Sequence, residues 1–228
     1  MSQDSSHARA HLVTPKAAAI AGIVFSLLLF AIIWLLRSSI PENPIDPGAW
    51  LKADTRLAAL ALNLIPIAGV AFLWFIGVLR DRLADLEDRF FATVFFGSGL
   101  LFLATLFIAA ATIGALILIS GFGDFDNLLN SNTLHFARAF AYIVINVYAV
   151  KMAAVFMMST STVVIYTEIV PRWIAVLGFM LAAVLLLGSY YIRWSIVVLP
   201  AWVLLISVYI IMEKFRQPQR TIEQQSSP

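Results

Sequence analysis

The chain has no cysteine and only three histidines in 228 residues. The first absence excludes disulfides, thiolate metal sites, iron–sulfur ligation and CxxCH haem attachment. The second removes bis-histidine haem between membrane helices, because His7 and His11 lie in a polar leader and leave His135 alone. His7 and His11 have the i,i+4 spacing of a metal-binding pair, but in a polar leader that spacing reads as chance. The GxSxG, HExxH and P-loop patterns are missing too, and Ser159 to Thr162 supply hydroxyls with no base beside them. No cofactor is implied. Charge is equally scarce: 12% of residues are charged, against roughly 25% in soluble domains, and the formal net charge is only +2. With the basic residues gathered at the ends of apolar runs, that small net charge speaks against a nucleic-acid partner.

What fills the chain instead is apolar. Hydrophobic residues make up 61% of it, in uncharged stretches long enough to cross a hydrocarbon layer at about 20 residues per crossing. The expected fold is therefore all-α: an integral membrane bundle of about six transmembrane helices, with the lipid bilayer as its first partner. Reading spans as the intervals between charges places them at about 17–36, 57–79, 91–120, 136–162, 173–189 and 195–212, inside a membrane domain of residues 16–215. Residues 1–15 form a polar leader. Thr14 and Pro15 suit a helix cap and first turn. The first apolar run exceeds the 7–15 residues of a signal h-region, so it reads as a retained helix.

The third interval is longer than one perpendicular crossing, which implies tilt, an interfacial extension or a break at its glycines. The fifth and sixth spans are short and meet at Tyr190–Trp194, an aromatic turn with Arg193 that suits a hairpin at the headgroups. Pro41, Pro44 and Pro47 make Ser38–Thr55 a turn-rich segment with Trp50 and Leu51 as an interfacial foot. Arg80–Arg89 reads as a charged helical extension with Asp85 and Arg89 at i,i+4. The Gln-, Ser- and Pro-rich residues 216–228 read as a disordered tail.

Basic residues set the expected orientation. Arg9, Lys16, Arg80, Arg82, Arg89, Arg172, Lys214, Arg216 and Arg220 fall on the side of the N-terminus, and Arg37, Lys52, Arg56, Arg138 and Arg193 on the other. Nine against five predicts N-in and C-in by the positive-inside rule.

Lys151 is the sharpest single feature, since an ionisable residue deep in a span is a functional-site hypothesis by default. All thirteen acids lie outside the spans or at their ends, so none can meet it there. It is turned toward a polar crevice, discharged by desolvation, or occupied by an anionic ligand or partner. The plainer alternative is that it snorkels, or bonds to Asn63, Asn146 or backbone carbonyls. On the same helix, His135, Arg138, Tyr142 and Asn146 recur at helical spacing. Tyr148, Lys151, Ser159, Thr162 and Tyr166 follow a second face, and two polar faces suggest a helix central in the bundle. Hydrogen bonding between helices is the plainer account of both. Asn63 with Pro66 and Gly69 are the residues that would break the second helix and expose carbonyls, or merely kink it. Ala18, Gly22 and Ser26, and Gly178 with Ala182, have the small-xxx-small spacing of close helix contacts.

The segment Lys151-Met-Ala-Ala-Val-Phe-Met-Met-Ser-Thr-Ser-Thr162, followed by Pro171-Arg-Trp173 and Gly178, resembles a pattern in bacterial multi-spanning membrane proteins that carry no assigned activity. The resemblance covers about a sixth of the chain. It implies residence in a bacterial cytoplasmic membrane and transfers no catalytic residue. Three functional classes remain open on the sequence. The leading one is a non-enzymatic accessory or assembly subunit that meets other membrane subunits or copies of itself. A small oligomeric transporter for an anionic solute is the second, with Lys151 and Arg138 as attractants. A lipid-modifying enzyme is the third, for which the usual acid, base and nucleophile are lacking.

Overall fold

A computed structural model describes residues 4–41, 48–52, 55–84, 89–122, 132–167, 171–188 and 194–225. These residues are helical throughout apart from turns, with no strand among them. Six rods follow one another: α1 (Asp4–Ser39), α2 (Arg56–Ala84), α3 (Arg89–Phe122), α4, α5 (Arg172–Gly188) and α6 (Ser195–Gln225). The fourth is composite, made of Asn132–Ile143, a π-helical stretch Val144–Ala149, and Val150–Thr167. Lipid leaves backbone groups no water to bond, and helices satisfy them internally. The chain is an all-α membrane bundle.

Five of the rods carry segments long and apolar enough to cross a bilayer: Ala17–Ser39, Arg56–Arg80, Ala92–Gly121, Asn132–Val163 and Ser195–Glu213. The apolar α5 is shorter at 17 residues, which at about 1.5 Å per residue is near the lower limit for a crossing. The expected six spans thus resolve into five full-length ones and one short one.

Neighbouring rods run antiparallel. Phe25 and Gly22 of α1 meet Phe72 and Phe75 of α2, and Gly69 and Gly99 mark α2 against α3 beside Phe107 and Ile76. Phe95 of α3 stacks on Phe156 of α4, while Leu116 and Leu134 share a cluster at the other end. The last rod returns to the first, with Ser207 beside Gly22 and the Arg37 guanidinium 3.8 Å over the Trp194 ring. The start of α1 and the end of α6 therefore lie at one end of the bundle. The centre is aromatic: Phe72 has its ring centroid 4.4 Å from that of Phe25, 5.6 Å from Phe102 and 5.1 Å from Phe156.

The small-residue spacings do what they promised. Ala18, Gly22 and Ser26 are buried, as are Gly178 and Ala182. A Cβ on Gly178 would stand 2.6 Å from Trp202 Cζ2 and would also strike the Ser161 hydroxyl, so α5 reaches this seam only as glycine.

Two expectations are corrected, at Thr14–Pro15 and at Trp50–Leu51, and α3 narrows the alternatives for the third span. Thr14 and Pro15 do not start the first helix, which begins at Asp4; alanine, arginine and leucine upstream carry the helix out of the apolar run. The third span is not broken at its glycines, because α3 continues for 34 residues and takes up its length by tilt or extension. Helix continues to Gln225 where the composition suggests disorder, since α6 propagates one bond per added residue once formed. Trp50 and Leu51 are no interfacial foot: they form a one-turn 3-10 helix, Ala49–Lys52, only 7% and 6% exposed against Leu116 and Leu134. Gly48, at φ 82°, supplies the left-handed turn that aims them inward, and its carbonyl accepts from the Leu51 N–H at 2.9 Å. Helix α2 passes unbroken through Pro66. The Asp85–Arg89 pair and the Tyr190–Arg193 turn lie outside the described residues, and so do residues 226–228 of the tail.

Candidate functional site

The polar residues of α4 are placed by its π-helical stretch. In a regular α-helix one face recurs every three or four residues, and a π-turn inserts one step of five. The outward row of α4 shows that step: Phe136, Phe140 and Ile143 are followed by Tyr148, five residues on, and then by Lys151, Met158 and Ile165. Inward, Ala149, Val150, Ala153, Ala154, Phe156 and Met157 enter the core. Without the extra residue, the run that carries Lys151 would be rotated and the ammonium would face a different side of the helix.

The two polar faces read from regular spacing are therefore redrawn. Tyr148, Lys151 and Tyr166 lie on the outer surface, Thr162 is half-buried, and Ser159 is buried on the inner side. His135 and Tyr142 are exposed, Asn146 is half-buried and Arg138 is 4% exposed. The six singled-out residues do not converge. Asn63 lies on α2, exposed, and its Nδ2 donates to the Ala59 carbonyl at 2.9 Å. The Asn146 amide donates to the Tyr142 carbonyl at 2.9 Å, at the start of the π-helical stretch.

Arg138 is a structural cation. Its Nη2 donates to the Pro41 carbonyl at 3.1 Å, and its guanidinium carbon stands 5.8 Å from the centroid of the buried Trp50 ring. It ties α4 to the segment that follows α1 and closes the bundle at the end opposite the termini.

Lys151 differs in every respect. It is exposed, and among the described residues it makes no hydrogen bond or ion pair. The amides proposed as its partners are occupied by their own helices. Most other polar groups in the spans behave likewise, donating three or four residues back instead of tying helices together: Ser26, Ser98, Thr105, Thr112, Ser159, Thr160 and Thr162 all do so.

Sequence reasoning marked Gly178 as a close contact but missed the two groups that face it, Ser161 and Trp202. Within the run Ser159–Thr162 only Ser161 has no partner for its hydroxyl, and Trp202 Nε1 is also buried and unpaired. Both groups face Gly178. A tryptophan seven residues into α6, opposite a glycine in α5, was the available signal, but nothing in the sequence pairs the two helices.

Among the described residues no three of His, Asp and Glu gather as a metal site. The arrangement offers no nucleophile with a base. It offers one exposed intramembrane cation on a mixed aromatic and apolar row. Comparison with known protein families, curated proteins and solved structures finds no match to this chain, so its function has to be read from that row.

Proposed function

We propose that this chain is a non-catalytic accessory or assembly subunit of a membrane complex, seated in a bacterial cytoplasmic membrane with both termini inside. The docking surface is the outward row of α4, and the occupant is a transmembrane helix of a different protein. One observation carries this reading: Lys151 is exposed in the middle of an apolar span and has no partner among the described residues. A lysine facing hydrocarbon costs about 2.5–3.5 kcal/mol at the centre of an isolated span, a cost that a neighbouring helix offsets. The nine basic residues at the terminal end, against five at the other, support the orientation.

The transport reading draws less support. It needs Lys151 and Arg138 along one path, whereas Arg138 is buried under Trp50 and Lys151 faces outward. The space between α1, α2, α3 and α4 is occupied by the phenylalanines around Phe72.

The test is native mass spectrometry of the protein extracted gently from its own membrane, paired with a photoreactive phenylalanine analogue at position 148 and, as control, at the exposed Trp74 of α2. The expected result is a stoichiometric, non-identical membrane protein cross-linked from 148 and not from 74. A bare monomer or a homo-oligomer would overturn the reading.

A further inference from the structure

We infer that the helix seated on α4 carries an aspartate or glutamate within its apolar span, and that Lys151 binds that carboxylate. The inference rests on the docking reading above and names the partner's chemistry.

Depth comes first. Lys151 stands twelve residues before Val163 and nineteen after Asn132, the ends of its span. At about 1.5 Å per residue these are roughly 18 Å and roughly 28 Å along the axis. Side chains on a helix lean toward its N-terminus, so Lys151 leans toward Asn132, the farther end. Reaching the nearer headgroups would require the side chain to run against that lean. An anionic lipid headgroup is thus a poor match for the ammonium.

Charge comes second. The Asp and Glu residues of this chain lie outside the five long spans, apart from Glu213 at the very end of the last. A second copy would bring its own Lys151 and no carboxylate at this depth, and two like charges repel. Only a different chain supplies the missing anion. In hydrocarbon, a lysine and a carboxylate each remove the other's unpaired charge, and the pair fixes which helix docks and at what depth.

Shape comes third. The π-helical stretch sets Tyr148 and Lys151 on the row that also holds Phe140 and Ile143 on one side and Met158 on the other. The ammonium is flanked along the helix axis by exposed aromatic and aliphatic side chains, a face against which one apolar helix can pack. The hydroxyl of Tyr148, three residues before Lys151, is near enough in sequence to donate to the same carboxylate.

The experiment uses the full-length protein in its native membrane. The segment cross-linked from position 148 is identified by peptide sequencing, and Lys151→Met and Lys151→Glu are compared with wild type for recovery of the complex. The expected segment is apolar with one Asp or Glu inside it. Each variant should lower recovery at least about thirtyfold, because truncating one side of a buried pair strands the other charge. Exchanging that carboxylate for lysine should restore the complex with Lys151→Glu alone. Unfolding of isolated Lys151→Met should be no easier than wild type, which separates loss of docking from loss of fold. A cross-linked segment without a carboxylate, or a smaller loss with Lys151→Met, would overturn the inference and leave the docking reading standing. Cross-linking to a second copy, or a Lys151-dependent anionic phospholipid with no protein partner, would overturn both.

Discussion

Helices α3 and α4 lie side by side and antiparallel, and both exceed the thickness of a hydrocarbon layer, yet they are built differently. From Ala92 to Gly121, α3 contains no charged residue and is one unbroken α-helix. Over Asn132–Val163, α4 contains Arg138 and Lys151 and changes to a π-helix between them. The two cations are then treated oppositely, one buried against a carbonyl and the other turned out. A helix that only fills a bundle can stay regular. One that must aim a particular residue at a particular side needs a change of register, and α4 makes it just before Lys151.

Five substitutions sharpen this contrast, beginning with the residue both helices share. Phe72 of α2 packs against Phe102 of α3 and Phe156 of α4. Phe72→Ala should cost about 3–5 kcal/mol, the range for aromatic truncation in a packed core, in reversible unfolding from mixed micelles. A cost near zero would show that the aromatic centre is not what holds α3 to α4. The next pair has opposite signs. Ile108, near the middle of the α3 span and 46% exposed, should cost about 2.5–3.5 kcal/mol as Ile108→Lys, whereas Lys151→Leu should stabilise the isolated chain by a similar amount. Equal signs for the two would abolish the distinction between the faces. The smallest effect concerns hydroxyls. Ser98 of α3 donates to the Val94 carbonyl of its own helix at 2.7 Å, and Ser98→Ala should cost about 0.5 kcal/mol, the low end for an intramolecular hydrogen bond. Ser161→Ala removes a buried hydroxyl with no partner and should be neutral or stabilising by about 1 kcal/mol.

Helix number and rough placement were legible because they depend only on long intervals without charge, which lipid imposes directly. The small-residue seams were legible for a similar reason: Gly22 and Gly178 stand out in composition, whatever they touch. What the pattern could not show is anything that depends on a neighbour's position. His135, Arg138, Tyr142 and Asn146 looked like one face because regular spacing was assumed. A π-helical turn has no compositional mark in Val144–Ala149, and it breaks that assumption. Arg138 looked like a companion to Lys151 because both are cations on one helix. Its true partners, Pro41 and Trp50, lie about ninety residues away in sequence, on either side of a left-handed turn at Gly48. Trp50 itself was read as a foot on the membrane because its flanking prolines suggest an exposed loop, and only the cleft between Leu116 and Leu134 reveals where it goes.

The contact between Ser207 and Gly22 bears on how the molecule comes into being. It joins α1 to α6, across 185 residues of chain. At the pace of translation, roughly 5–20 residues per second, the interval between making the two is on the order of 10–40 s. Until α6 arrives, the Gly22 side of α1 has Phe75 of α2 against it and an open flank where Ser207 will sit. A chain halted short of α6 therefore leaves the bundle unclosed, with the Gly22 flank of α1 uncovered by Ser207.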